Sequence, residues 1–197
     1  MTVRTEDKKN TITKIVKTFY NLIQKKGYVN VSIRDIRNKA KVSIGAIYHH
    51  FPQGKVDILN EIIIRNRDKI IGIDLFNDID ESELEKSINK IMLNFIDFHR
   101  ENIQFNLALE QELLLKKEIF HNFKLLIEEA LVNLAKKLKT FKVFRNISEK
   151  KLREKLFLIF NIIEAIILRH ISLIPLFETD EELRVYLTNL VLFHFSN

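Results

Sequence analysis

The side chains with the clearest potential to recognise another molecule lie in residues 43–52. Gly45 and Ala46 leave one end of a short helix without bulky side chains, so a partner surface can approach it closely. Ile44 and Ala46 can contact thymine methyl groups, and His49 can donate a hydrogen bond to a base edge. The chemistry that these residue types offer is the reading of base pairs in a DNA major groove.

Two short helices with a tight turn between them are needed to position this segment. A capping box at Ser32 and Asp35 starts the first helix, about 32–39, and Ser43 caps the second, about 43–50. A proline follows and stops the second helix. Because helix-turn-helix proteins place their second helix in the major groove, the spacing predicts a DNA-binding unit of that kind.

The basic charge of the chain lies in the same region. Residues 1–55 contain 12 Lys and Arg against 3 Asp and Glu, a net charge of +9, whereas the other 142 residues carry −3. A basic surface gains affinity for DNA because it releases counterions from phosphates. A charge run alone is more often a solvated surface, but its coincidence with the helix-turn-helix pattern favours a polyanionic partner.

Composition predicts an all-α protein. The chain has only 4 Gly and 2 Pro in 197 residues, and 46% of its residues are hydrophobic, which is enough for a substantial core. The absence of cysteine excludes disulfides and thiolate metal sites and fits a reducing cytoplasm, the expected location. The N-terminal residues lack the apolar run of a secretory signal.

Apolar periodicity predicts about nine helices. Besides the two short ones, the predicted spans are about 9–26, 55–71, 81–100, 103–116, 118–142, 148–172 and 180–195. Residues 156–177 are apolar enough to raise a membrane span as an alternative, but Glu164 and Arg169 would be costly inside a bilayer. Burial on two sides, against its own domain and against a second copy of the chain, explains this segment better. Leu183, Leu187, Leu190 and Val191 of the last helix are expected to join the packing on the second copy.

A longer motif surrounds the two short helices. It runs through Gly27-Tyr28, Val31–Ile36, Ala40–Pro52 and Lys55. This motif, within about residues 15–63, resembles the N-terminal domain of the TetR/AcrR family of transcriptional regulators. The resemblance implies a three-helix helix-turn-helix domain over residues 1–54 and a helical ligand-binding and dimerisation domain over 55–197.

Two positions depart from the family pattern. Arg37 stands where the family usually has alanine, so its stem must extend outward, towards solvent or a phosphate. Lys41 stands where the family usually has glycine, and a left-handed backbone there would cost a lysine roughly 1–2 kcal/mol. Both substitutions bear on the geometry of the turn.

The resemblance also implies roles for individual side chains. It implies a base or phosphate contact for Arg34 and phosphate contacts for several hydroxyl, imidazole and ammonium groups. The whole set predicted to bind DNA is Ser32, Arg34, Ser43, Ile44, Gly45, Ala46, Tyr48, His49, His50 and Lys55. Simple packing is the alternative for Tyr48 and His50, and the expected core of the module is Ile36, Val42, Ile47 and Phe51. The implied partner is a pseudo-palindromic double-stranded operator, bound by a homodimer that forms through the last two helices.

The second domain is expected to bind a small effector. With 15 Phe and no Trp, its helices favour an apolar, elongated ligand, such as a fatty acid, a fatty acyl-CoA or a lipophilic drug. The predicted effector-binding residues are Phe95, Phe98, Phe105, Leu109, Phe123, Phe160, Asn161 and Glu164. Asn161 and Glu164 need polar partners, so they either line the pocket or pair across the dimer interface.

The predicted function is therefore a ligand-responsive DNA-binding regulator, by default a repressor released from its operator by the effector. An enzyme is not expected, because no glycine-rich phosphate loop, HExxH motif or nucleophile elbow occurs, and neither a metal site nor a cofactor is predicted. The alternative is a helical architectural DNA-binding protein without an effector.

Overall fold

Helices make up the regular structure of the chain. The computed structural model describes residues 3–196, and the side chains of residues 9–196. Its helices are α1 (Val3–Lys26), α2 (Ile33–Ala40), α3 (Ile44–His50), α4 (Lys55–Ile71), α5 (Ile73–Asn77), α6 (Leu84–Glu101), α7 (Ile103–Leu115), α8 (Lys117–Leu138), α9 (Glu149–Ser172) and α10 (Asp180–Ser196), with a 3-10 turn at Lys142–Phe144. Nine of these described helices have seven or more residues and no described residue is in a strand, which confirms the predicted all-α fold.

The chain packs as two compact units. The first contains the chain up to Asn66 together with Asn102–Phe120, and the second contains Arg67–Glu101 and the chain from His121 onward. Helix α7 therefore belongs to the first unit, although α6 and most of α8, its neighbours in sequence, belong to the second. The boundary predicted between residues 54 and 55 divides a DNA-binding domain from an effector-binding domain. These packing units do not test that boundary, so it stays a prediction.

The first unit has a core of aliphatic and aromatic side chains between α1, α2, α3 and α7. Ile15, Phe19, Ile36 and Ile47 are completely buried there. Helix α1 contacts both α2 and α7, and α2 contacts α3. The long α1 is thus the support on which the two short helices are held.

The second unit is a helical bundle in which α6, α9 and α10 contact one another. Buried apolar residues recur at helical spacing along α6 and α9, as burial on one side of each helix requires. No helix in the described part of the chain is long and apolar enough to cross a membrane.

Three predicted helix ends differ from the structure, and the five-residue helix α5 was not predicted. Helix α1 begins at Val3 rather than near 9. Helix α6 begins at Leu84 rather than near 81, because the Asp80 carboxylate accepts hydrogen bonds from the backbone N–H and the hydroxyl of Ser82, both at 2.8 Å, and so forms a turn. Helix α8 ends at Leu138 rather than near 142. There the Lys139 ammonium donates to the carbonyl oxygens of Arg145 and Ile147, which stabilises the turn after the helix.

Candidate DNA-binding surface and effector cavity

Helix α2 starts at the predicted capping box. Ser32 Oγ accepts a hydrogen bond from the Asp35 backbone N–H at 3.2 Å, and Asp35 Oδ2 accepts from the Ser32 backbone N–H at 2.8 Å. The Ser32 hydroxyl also donates to Asp35, and these bonds, with Lys26 3.0 Å away, hold the pKa of the Asp35 carboxyl well below its usual range. The Ser32 hydroxyl hydrogen is thus engaged within the fold, and its predicted phosphate contact stays a prediction.

The turn between α2 and α3 has the backbone geometry that the sequence predicts. Lys41 has φ 55° and ψ 48°, in the left-handed region, and its N–H donates to the Arg37 carbonyl oxygen. Arg37 is exposed, as its length requires, and its guanidinium donates to Asn38 Oδ1 at 2.9 Å. The two departures from the family pattern therefore leave the turn intact and place two basic side chains on its surface.

Helix α3 has one face towards the core and one towards solvent. The Ser43 hydroxyl oxygen caps the helix by accepting from the Ala46 N–H at 2.9 Å. Ile47 is completely buried and anchors the helix, whereas Ile44 and Tyr48 are 40% and 47% exposed. An exposed face next to a buried anchor is the arrangement that a helix needs to enter a groove.

The aromatic and imidazole groups of α3 continue this face. His49 is exposed and His50 is half-buried, and their rings meet edge to face with centroids 5.0 Å apart. The adjacent Phe51 is buried and its ring lies 6.4 Å from that of His50. Tyr48 and His49 thus remain available to a partner, while His50 is partly committed to packing.

Gly45 is exposed at the start of α3 and has no structural reason to be glycine. Its backbone is not left-handed, and a Cβ added there would meet only Ser43 Oγ, at 3.9 Å. Glycine in a helix is less stable than alanine by roughly 0.5–1 kcal/mol. The missing side chain therefore leaves open space on the protein surface, not in the core.

Lys55 is half-buried at the start of α4. Its ammonium donates to the Tyr28 carbonyl oxygen at 2.9 Å and lies 4.2 Å from the centroid of the Tyr28 ring. Burial lowers the pKa of Lys55, and the carboxylate of Glu112 opposes that shift. The ammonium ties α4 to the residues after α1, so a phosphate contact would have to share it with this network.

Glu112 on α7 completes the network and was missed in the sequence. Glu112 is 4% exposed. Burial of Tyr28 raises the pKa of its hydroxyl, and the charge of Glu112 and its hydrogen bond with Tyr28 raise that pKa further. One of its carboxylate oxygens, Oε2, is buried without a hydrogen-bond partner among the described residues. The sequence offered only a weak signal, a charged residue in an otherwise apolar helix.

The second unit contains an apolar cavity of about 90 Å³. Its wall comes from α5, α6, α8, α9 and α10 and includes Phe76, Ile91, Met92, Phe95, Leu134 and Phe160. The rings of Phe95 and Phe160 meet edge to face, with centroids 6.2 Å apart. Only apolar atoms face the cavity, so it favours an apolar ligand.

The family whose sequence model matches this chain is described as bacterial regulatory proteins of the tetR family, and the match covers residues 15–62. These residues run from the buried Ile15 of α1, through the capping box and α3, into α4. The N-terminal domain belongs to the TetR family. Members of this family are DNA-binding regulators, and the match gives residues 15–62 the DNA-binding domain of such a regulator.

Solved structures of similar proteins cover almost the whole chain. A Syntrophomonas wolfei protein assigned to the TetR family has a TM-score of 0.70 and 20% identity, over 96% of each chain. One from Mesorhizobium loti has a TM-score of 0.69 and 14% identity, over 100% of this chain and 98% of that chain. The TetR-family regulator PfmR from Thermus thermophilus has a TM-score of 0.58 and 20% identity, over 91% of this chain and 97% of that chain. At sequence identities this low, these TM-scores establish a shared fold alone. No curated protein matches the chain.

Two of the eight predicted effector-binding residues, Phe95 and Phe160, lie on the cavity wall. Phe105 and Leu109 are buried in the first unit instead, where the Phe105 ring lies 5.6 Å from that of Tyr20. The structure places them there because α7 packs on α1. They do not share a cavity with the other predicted residues.

The remaining four predicted residues lie outside the cavity lining. Phe98 and Phe123 are half-buried. Asn161 is exposed and donates to the Phe157 carbonyl oxygen at 2.7 Å, a hydrogen bond along its own helix. Glu164 is half-buried and pairs with a histidine on α6.

The pair that Glu164 forms lies one helical turn beyond two cavity residues. His99 follows Phe95 by four residues on α6, and Glu164 follows Phe160 by four on α9. Glu164 Oε2 lies 3.1 Å from His99 Nε2, and His99 Nδ1 lies 2.9 Å from the Phe95 carbonyl oxygen. Glu164 Oε1 is buried without a hydrogen-bond partner among the described residues.

Sequence reasoning also missed most of the aliphatic cavity wall. Residues such as Ile88, Leu131, Leu134 and Ile159 line the cavity but are ordinary core residues by type. The predicted set consists mainly of phenylalanines and contains none of these residues. No local signal separates an aliphatic side chain on a cavity from one in a filled core.

Proposed function

We propose that the chain is a ligand-responsive transcriptional regulator, by default a repressor, that reads operator DNA with α3 and releases it when an apolar effector binds the second unit. The family match of residues 15–62 supports DNA binding by this part of the first unit. The direction of regulation, the effector and the dimer are the proposed parts. As a DNA-binding regulator it would act in the cytoplasm.

The main support for DNA recognition by α3 is the exposed glycine at position 45. Glycine lowers the stability of its helix, and neither the backbone conformation nor a close contact within the fold requires it. It lies on the exposed face with Ile44 and Tyr48. A position that lacks a side chain at some cost in stability, on a surface, supports close approach by an external partner. The high positive charge of residues 1–55 supports a DNA backbone as that partner.

The size and lining of the cavity support an effector that changes the conformation of the second unit. At about 90 Å³ the cavity is much smaller than the roughly 300–1,000 Å³ of pockets that hold drug-sized ligands. A fatty acyl chain or a lipophilic drug therefore requires a larger cavity, so it binds an expanded state preferentially. Such differential binding is what allows a ligand to shift a population away from the DNA-binding state.

The His99–Glu164 pair favours one class among the candidate effectors. Glu164 lies one helical turn beyond Phe160 of the cavity wall, and its Oε1 has no hydrogen-bond partner among the described residues. A hydrogen-bond donor such as a hydroxyl or an amine would satisfy that oxygen, whereas the carboxylate of a free fatty acid would be repelled. We therefore place lipophilic compounds with a donor group ahead of free fatty acids.

The exposed sides of α9 and α10 support a homodimer through these two helices. Leu158, Val185 and Tyr186 are each more than 40% exposed, while the opposite side of each helix is buried in its own unit. That buried side includes Leu183, Leu187 and Val191, which were expected at the interface between copies. Asn161 lies on the exposed side of α9. Of its two predicted roles, pairing across a dimer interface therefore fits better than lining the cavity.

Selection of DNA from a random pool tests the regulator. The purified chain should enrich a pseudo-palindromic sequence, and native mass spectrometry should show a dimer, with any retained ligand visible as added mass. Lipophilic amines or alcohols should release the selected duplex more effectively than fatty acids of equal length. Binding that falls with salt but enriches no sequence would contradict this proposal and favour an architectural protein.

A further inference from the structure

Lys41 has an unusual backbone conformation in the turn before α3. Among residues 3–196, four have a clearly positive φ, and three of them are Gly27, Gly54 and Gly72. The fourth is Lys41, with φ 55°. The chain therefore places glycine at every described left-handed position except this one.

The backbone of the turn explains why a left-handed residue is needed there. The N–H groups of Lys41 and Val42 both donate to the Arg37 carbonyl oxygen, so α2 ends in a left-handed cap. Two residues later, Ser43 caps α3. Glycine fits this cap without crowding of a Cβ, whereas lysine is strained.

Nothing in the described chain uses the charge of Lys41. Its side chain is exposed, and its ammonium has no hydrogen bond, ion pair or aromatic contact with any described residue. By contrast, Lys26 pairs with Asp35 at 3.0 Å, and Lys55 donates to Tyr28. A strained residue without an internal partner indicates a function outside the fold.

We propose that Lys41 binds a phosphate of the DNA backbone and helps to hold α3 on its half-site. This inference rests on the proposed DNA binding by α3. A phosphate contact adds affinity and salt dependence without sequence preference, so Lys41 would position the recognition helix rather than read bases. Arg37, one helical turn earlier and also exposed, extends the same basic edge.

Lys41→Gly separates stability from DNA binding, because the two should move in opposite directions. Relief of the strained cap should raise the melting temperature by about 1–3 °C. Affinity should fall several-fold, equally for a duplex of about 30 base pairs selected by the wild type and for a scrambled duplex. The slope of log affinity against log salt should decrease by about 1 for each bound protomer.

Three further variants serve as controls. Lys41→Arg should keep the affinity and the salt slope, because it keeps the charge. Lys41→Asn should behave like Lys41→Gly, since asparagine tolerates the left-handed region. Lys150→Gln removes an exposed charge on α9 of the second unit and should leave DNA binding unchanged.

Specific outcomes would overturn the inference. Lys41→Gly with wild-type affinity and salt slope would show that the lysine is only tolerated. Loss of affinity for the selected duplex alone would indicate a base contact, and loss of stability in both Lys41→Gly and Lys41→Asn would indicate a structural role. Failure of the wild type to bind any duplex would instead refute the proposed DNA binding, and it is measured first.

Discussion

The proposed DNA-binding surface and the proposed effector cavity differ in how their residues point to a function. On the surface, Gly45 and Lys41 are both less favourable than another residue would be for the local backbone. Around the cavity, the lining residues are apolar and buried, as they would be in any helical core. A binding site whose residues lower stability can thus be recognised from single residues. A binding site lined by ordinary core residues can be recognised only from its cavity.

The largest expected effect tests the cavity wall. Phe160→Ala should destabilise the protein by about 3–5 kcal/mol, because the ring is buried and packs against Phe95. Urea denaturation measures the loss, and Leu114→Ala, at a position 84% exposed, should stay within about 0.5 kcal/mol of wild type.

The same variant can show whether the void accepts ligands. A small apolar compound such as toluene should bind the enlarged cavity and recover part of the lost stability. If Phe160→Ala is as stable as wild type, the wall is not held by packing and the contrast with the DNA-binding surface fails.

The next largest effect tests whether the buried polar network of Glu112, Tyr28 and Lys55 stabilises the first unit. Glu112→Ala should cost roughly 2–3 kcal/mol, because it removes the buried partner of Tyr28 and the nearby charge that favours protonated Lys55. Glu112→Gln keeps a hydrogen-bond acceptor and should cost less. Equal stability of Glu112→Ala and wild type in urea would rule out this network as a support of the fold.

A smaller effect, with opposite signs in two measurements, is expected at Gly45. Gly45→Ala should stabilise the protein by roughly 0.5–1 kcal/mol, because space is open around the new methyl group. Affinity for the selected duplex should fall at least about tenfold, because the methyl group occupies the space left for DNA. Thermal melting and a gel shift on the same preparation provide both values, and unchanged affinity would remove the main support for close approach at α3.

The smallest effect concerns a polar contact at the surface of the second unit. Hydrogen bonds from Arg100, and a further contact with His170, hold the pKa of Asp180 below its ordinary value of 3.8. A lowered pKa in the folded state stabilises the protein above about pH 4, and this contribution is lost as the pH falls through the folded value. Because the pair is partly exposed, Asp180→Asn should cost only about 0.2–1 kcal/mol at neutral pH.

The pH profile is the decisive measurement for this variant. The stability of Asp180→Asn should fall less than that of wild type between pH 5 and pH 3 in parallel urea titrations. Parallel profiles would show that the contact does not contribute to stability.

The helix-turn-helix could be predicted from the sequence because local interactions form it. The Ser32–Asp35 capping box, the Ser43 cap and the left-handed Gly27 each depend on residues within four positions of one another. The burial of Ile47 beside the exposure of Tyr48 follows from helical periodicity alone. The strain at Lys41 was also expected, because the family that the motif resembles usually has glycine at that position.

Only the tertiary structure decided which helix packs with which. Helix α7 has apolar residues on several sides, so its sequence does not show that Phe105 and Leu109 pack in the first unit. The same packing brings Glu112 to Tyr28 and Lys55, more than 50 residues away from either in sequence. Hydrophobic burial is non-directional, so a sequence determines that such residues will be buried, while the competition among all helices determines where.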